Sequence, residues 1–132
     1  LLPALPKLGI KYDPSHSIEH TRDYKEYLPE MAEFGDRFYH FHVKGSLFIN
    51  GEHYDDPPAG MDGINWGAAF DILYTKNYDG AVCYEPHSKY WVGAKGRWAI
   101  DFSLNYIKPI FMPEDYKGDM ASPYSLKTEV KT

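Results

Sequence analysis

Phe38-Tyr39-His40-Phe41-His42-Val43-Lys44 is the run of residues on which the fold prediction depends. Its aromatic and β-branched residues predict a β-strand with Phe38, His40, His42 and Lys44 on one face and Tyr39, Phe41 and Val43 on the other. Similar runs at residues 8–13 and 81–85 end in Asp13 and Glu85. The three runs therefore predict three strands, each of which ends in polar side chains.

Segments with helical periodicity lie between and after these strands. Apolar residues recur at helical spacing within residues 27–34 and 66–76, and a third helix is predicted for residues 98–107, ended by Pro109. Residues 45–63 read as a long loop. The alternation of strand and helix is typical of β/α units in a parallel sheet, so the predicted fold class is α/β. Three strands cannot close a barrel. An eight-stranded barrel takes about 250 residues, so this chain would hold well under half of one.

Composition excludes several classes of protein. The 132 residues are 43% apolar, which suffices for one core, and we assign residues 1–111 to a single domain and residues 112–132 to a C-terminal extension or tail. The net charge is −5 and only three residues are arginine, so no nucleic-acid partner is expected. No apolar run reaches the ~20 residues of a membrane span. The single cysteine, Cys83, excludes an internal disulfide and predicts a reducing compartment, with the cytoplasm as the default.

Asp13, His42 and Glu85 form a candidate metal site. Taken alone, Asp13 before a proline is more often a turn-former, His42 an interior histidine and Glu85 a strand-end carboxylate in a salt bridge. Together they are predicted on the same face and at the same end of consecutive parallel strands. Buried there without a cation, they would be uncompensated charges. Their joint occurrence therefore favours a divalent cation held by two carboxylates and an imidazole.

These residues also resemble a known family, the xylose isomerase-like barrels, and within it the sugar phosphate isomerases and epimerases. That group typically shows Asp-x-x-His, His-x-His-x-Lys-Asp, a loop like Pro-Gly-x-Gly-x-Ile-Asp-Trp, and Gly-x-x-x-x-Glu, in this order. The corresponding strings here are residues 13–16, 40–44, 58–66 and 80–85. The resemblance implies that the chain is the C-terminal portion, the last three βα units, of a (β/α)8 TIM barrel that is incomplete in this chain.

The resemblance also implies roles for individual residues. Asp13, His42 and Glu85 would coordinate one divalent metal ion, with Mn²⁺ as the expected ion and Mg²⁺, Co²⁺ or Zn²⁺ as alternatives. Glu85 would also be the catalytic proton-transfer group in a reaction that passes through a metal-bound enediolate. The implied substrate-binding residues are His16, Lys44, His87 and Trp91.

Other polar residues are expected to have structural roles. His40 is expected deeper in the barrel, Lys11 to pair with an interior acid or reach water, Cys83 to pack, and His20 and His53 to face solvent on loops. The sequence also departs from the family pattern, since Gly45 stands where the family commonly has Asp, and Gly-Met-Asp-Gly at residues 60–63 replaces Gly-x-Gly-Asp. A phosphorylated substrate is therefore not assumed.

The expected function is that of a divalent-metal-dependent sugar isomerase or epimerase acting on a ketose, inosose or related polyol by proton abstraction next to a carbonyl. Two alternatives remain. One is a two-chain lyase of the same barrel type that cleaves C-glycosides, and the other is a non-catalytic fragment or subunit. The expected partners are a small sugar or polyol and the missing N-terminal barrel half, from the same gene or another chain, and oligomerisation is left open. An apurinic-site endonuclease is disfavoured by the charge.

Overall fold

The computed structural model describes residues 2–113, and the predicted tail at residues 112–132 lies outside the described residues from position 114 onward. In chain order the strands are β1 (Ile10–Tyr12), β2 (Phe38–Val43), β3 (Leu47–Ile49), β4 (Glu52–Asp55) and β5 (Ala81–Tyr84). The α-helices are α1 (Pro14–Thr21), α2 (Tyr27–Phe34), α3 (Trp66–Thr75) and α4 (Ala94–Ile107).

Strands β1, β2 and β5 form a parallel sheet in the order β1-β2-β5. In the part of the chain that the structure describes, β1 and β5 each pair only with β2, so this sheet has two edges and does not close. A helix follows each of the three strands, as in successive β/α units. The predicted α/β fold, a portion of a TIM barrel, is confirmed.

The core lies on one face of this sheet. Phe41 is completely buried and its ring contacts the rings of Tyr12, Phe70 and Tyr78, with centroid distances of 6.2 to 6.5 Å. Helices α1, α2 and α3 cover the same face, and their main buried side chains are Ile18, Tyr27, Met31, Trp66, Phe70, Ile72 and Leu73. On the opposite face Lys11, Ala81 and Cys83 are exposed, because no described element packs there.

The predicted face assignment is wrong for two residues of β2. The register shifts between β1 and β2, so that Ile10 pairs with Phe38, Lys11 pairs with His40, and Tyr39 between them has no partner. Phe38 turns into the core and stacks on Tyr12 at 4.5 Å, while Tyr39 is 61% exposed. Such an extra residue breaks the alternation of side chains that the prediction assumed.

Helix α1 is absent from the sequence-based prediction, which ends the first strand at Pro14. Proline suits the first position of a helix, where its missing N–H group would have no partner anyway. Asp13 is the N-cap, and its side chain accepts a hydrogen bond from the Ser15 amide at 2.9 Å. The helix places His16 directly after the strand end, and it carries His20, which is exposed as expected but does not lie on a loop.

The predicted loop at residues 45–63 contains a β-hairpin. Strands β3 and β4 pair antiparallel around Asn50 and Gly51, both with positive φ, as a tight hairpin turn requires. His53 therefore lies on a strand rather than a loop, although it is exposed as expected. The hairpin stands at the carboxyl end of β2, beside the candidate site.

Helix α4 begins four residues earlier than predicted. Its N-cap is Gly93, whose φ of 60° is available to glycine at little cost, and it continues to Ile107 before a 3-10 turn that contains Pro109. None of the helices in residues 2–113 is long and apolar enough to cross a membrane.

Candidate functional site

Three strand ends bring Asp13, His42 and Glu85 together. Asp13 follows β1, His42 is the fifth residue of β2, and Glu85 follows β5. Each can offer one ligand atom such that the three atoms lie within 4.8 Å of one another. The sheet register causes this arrangement, because parallel neighbours present their carboxyl ends at the same edge.

The two carboxylate oxygens of Asp13 have different surroundings. Oδ1 accepts the Ser15 amide and so caps helix α1. Oδ2 is buried without a hydrogen-bond partner, and the nearest basic group is His16 Nε2 at 3.7 Å. A buried carboxylate oxygen without a donor is costly, and a bound cation would remove that cost. Asp13 can therefore act as a helix cap and as a ligand at the same time.

Glu85 is held by two histidines. Its Oε2 forms a hydrogen bond with Nδ1 of His42, and its Oε1 lies 3.0 Å from Nε2 of His87. The hydrogen bond from His87 is the largest influence on the pKa of Glu85, and together with the hydrogen bond and charge of His42 it outweighs burial and holds that pKa below its ordinary value. Glu85 is therefore a carboxylate at neutral pH, as both a ligand and a proton acceptor must be.

Lys44 lies at the same end of the sheet, but its charge is already balanced. The ammonium is buried, with Nζ 3.2 Å from Oε1 of Glu19 and 3.9 Å from Oδ2 of Asp56. Asp56 in turn pairs through Oδ1 with Nε2 of His53 at 2.8 Å. Sequence reasoning missed Glu19, His53 and Asp56, because they come from α1 and from the hairpin that was not predicted.

The remaining predicted site residues lie around this centre. The side chain of His16 is 59% exposed beside Asp13. Trp91 stacks on Trp98 with ring centroids 5.4 Å apart, and together with His87 and Arg97 it lines an open groove of about 550 Å³. Since His87 also contacts Glu85, the groove opens directly beside the candidate proton-transfer group.

The surroundings of Gly45, which stands where the resemblance led us to expect Asp, leave no room for a side chain. A Cβ atom at this position would lie 1.8 Å from the carbonyl oxygen of Pro57, so no side chain fits. In the neighbouring loop, Asp62 accepts hydrogen bonds from the Gly60 amide, the Trp66 indole and, more weakly, the Ser46 amide. Burial raises the pKa of Asp62 to about 6. These bonds join the loop to the end of β2.

Comparison with sequence families identifies a match that covers most of the chain. The model of the xylose isomerase-like TIM barrel family matches residues 2–108, which is most of the chain. No curated protein matches the sequence. The matched region contains every residue of the candidate site, and it agrees with the parallel β/α units described above. The chain therefore belongs to the xylose isomerase-like TIM barrel family.

Proposed function

We propose that this chain is the C-terminal part of a divalent-metal-dependent sugar isomerase or epimerase that abstracts a proton next to a carbonyl. The observation that carries the proposal is the buried Oδ2 atom of Asp13. It has no hydrogen-bond partner, and ligand atoms of Asp13, His42 and Glu85 lie within 4.8 Å of one another. Membership in the family supports the barrel context but not the particular reaction.

The donor set fits a divalent cation. Two carboxylates and one imidazole suit Mn²⁺, Mg²⁺, Co²⁺ or Zn²⁺, and the two negative charges would otherwise repel each other near the buried strand ends. Asp13, His42 and Glu85 would hold the ion. When bound, the ion would polarise a sugar carbonyl and acidify the adjacent C–H bond.

Glu85 is the proposed proton acceptor. Each of its oxygens takes one hydrogen bond from a histidine and keeps a further lone pair, so it can accept a proton while it stays fixed in position. His87 lies at the boundary between Glu85 and the groove, where it can orient a substrate hydroxyl. His16 is exposed at the rim beside Asp13 and can contact the substrate from the other side.

Lys44 has a positioning role in this proposal. Its ammonium balances Glu19 and Asp56, and it therefore fixes helix α1 and the β3–β4 hairpin to the end of β2. Substrate hydroxyls at this rim would meet an organised charge cluster rather than a mobile lysine. Trp91 would cover an apolar part of the substrate in the groove.

The remaining β/α units are the proposed partner of this chain. The face of the sheet that carries Lys11, Ala81 and Cys83 is exposed, and β1 and β5 each have one unpaired edge in the described residues. Further parallel strands, from the same or another polypeptide, would pair with these edges and enclose the exposed face as a barrel interior.

Exchange of substrate protons with solvent tests the function. The chain, purified together with the β/α units that complete its barrel, is incubated with Mn²⁺ in deuterium oxide and a panel of ketoses and inososes, and deuterium next to the carbonyl is followed by NMR. In the Glu85→Gln variant the rate of exchange should fall at least about a hundredfold, as expected for removal of a general base. The matched variant Glu52→Gln changes an exposed glutamate on β4 and should exchange normally.

Undiminished exchange in Glu85→Gln would contradict the proposal. Release of an aglycone from an aryl C-glycoside, without isomerisation of any free sugar, would instead favour the lyase alternative. Circular dichroism of both variants checks that the fold is unchanged.

A further inference from the structure

A second group of potential ligands lies on the open face of the sheet. The register of β2 with β5 places His42 beside Cys83 and His40 beside Ala81. His40, His42 and Cys83 can each offer one ligand atom within 4.8 Å of the others, and the two imidazole rings meet edge to face with centroids 4.9 Å apart. The backbone pairing therefore determines this arrangement, with no contribution from a loop.

Cys83 is not the packing residue that the sequence suggested. It is a free and exposed cysteine, and its Sγ contacts only weakly the carbonyl oxygen of Tyr84, at 3.8 Å. A cysteine binds a metal ion as thiolate, and the thiol proton is displaced when the ion binds. His40 is half-buried on the same face of β2.

The chemistry of this group differs from that of the first. Two imidazole nitrogens and one thiolate sulfur are the ligands of Zn²⁺ and similar thiophilic ions, which bind three such side chains and keep one position open. Asp13, His42 and Glu85 offer mainly oxygen. We propose that His40, His42 and Cys83 form a second metal site, specific for a zinc-class cation.

Both sites use His42. A His42 nitrogen that binds the thiophilic ion is not available to the oxygen-rich group of Asp13, His42 and Glu85, which then retains only its two carboxylates. Binding at one site therefore weakens binding at the other, and linkage makes the effect reciprocal. This consequence rests on the proposed function, whereas the existence of the second site does not.

Cobalt substitution tests the site itself. The full chain is reduced with a phosphine, freed of metal with a chelator and titrated with Co²⁺, because thiolate bound to cobalt gives a charge-transfer band in the near ultraviolet. We expect the band in the wild type. We also expect Cys83→Ser to abolish the band and to lower cobalt affinity at least about tenfold.

Asp13→Asn is the control variant for Cys83→Ser. It changes the oxygen-rich group alone, so it should retain the cobalt–thiolate band while losing stabilisation by Mn²⁺. Absence of the band in the wild type, or its persistence in Cys83→Ser, would overturn the second site. A band that depends on Cys83 in a chain that Mn²⁺ does not stabilise would support the second site and refute the proposed function, so the two failures are distinguishable.

The His40→Gln variant gives an independent measurement. Zn²⁺ should protect Cys83 from alkylation in the wild type, and His40→Gln should lose most of this protection because one of three ligands is missing. Equal protection in both proteins would contradict the inclusion of His40. His40 is half-buried, so its replacement should leave the fold intact, and circular dichroism of the variant checks this.

Discussion

Replacing Asp13 with Asn should remove most of the stability that a divalent cation confers on this chain. The amide oxygen of Asn can still accept the Ser15 amide, so the cap of helix α1 survives. The variant loses the negative charge and the free oxygen at Oδ2, which is the atom that we expect to bind the cation. Its effect should therefore be small without metal and large with it.

The magnitude follows from linkage. Mn²⁺ at a hundred times its dissociation constant stabilises a protein by about 2.7 kcal/mol, and a hundredfold weaker site retains about 0.4 kcal/mol. For a chain of this length, about 1 kcal/mol corresponds to a change of roughly 4 °C in Tm. The wild type should gain about 10 °C on addition of Mn²⁺, and Asp13→Asn should gain about 1 to 2 °C.

Thermal unfolding followed by circular dichroism provides the measurement. Both proteins are first treated with a chelator, and their Tm values without metal should differ by the equivalent of no more than about 1 kcal/mol. The control Asp71→Asn makes the same chemical change at an exposed position on α3 and should respond to Mn²⁺ as the wild type does. Equal stabilisation of Asp13→Asn and wild type would refute the assignment of Asp13 as a ligand.

Three further predictions concern the scaffold. Phe41→Ala should lower the free energy of unfolding in urea by about 3 to 5 kcal/mol, because Phe41 is completely buried; a loss below 1 kcal/mol would contradict its place in the core. Gly45→Ala should cost about 1 to 3 kcal/mol, since its Cβ would meet the Pro57 carbonyl at 1.8 Å; wild-type stability would show that the loop can move away. Burial raises the pKa of Asp62 from 3.8 to about 6, so folding takes up a proton between these pH values, and stability should fall by up to about 3 kcal/mol as the pH rises through them. Asp62→Asn should lack this component, and an unchanged pH dependence of unfolding would argue against the shift.

Several features that the prediction missed did have local signals. Asp13 followed by Pro14 is an N-cap followed by a favoured first helical residue, which is a signal for α1. Asn50 followed by Gly51 between two short β-prone runs is a signal for the β3–β4 hairpin. Neither signal is decisive alone. Pro14 is equally typical of the end of a strand, and the many turn-forming residues at 45–63 are equally typical of an irregular loop.

Other features had no local signal. The cluster around Lys44 joins Glu19, which is 25 residues earlier, to the hairpin that follows β2. The exchange of Phe38 and Tyr39 results from a register shift that pairing with β1 imposes. Both the Lys44 cluster and the exchange of Phe38 and Tyr39 depend on contacts between segments that are distant in sequence. The alternation of side chains along one strand does not predict such contacts.

The residue order alone was enough to predict the three parallel strands, helices between them, and an Asp, a His and a Glu near the same end of those strands. It could do so because the periods of strand and helix are local properties of the chain, and parallel strands end at a common edge. Three features depend on the folded arrangement: one Asp13 oxygen caps a helix while the other has no partner, carboxylates balance the charge of Lys44, and Cys83 lies beside His42. These are distances between atoms of different elements, and packing and register determine them.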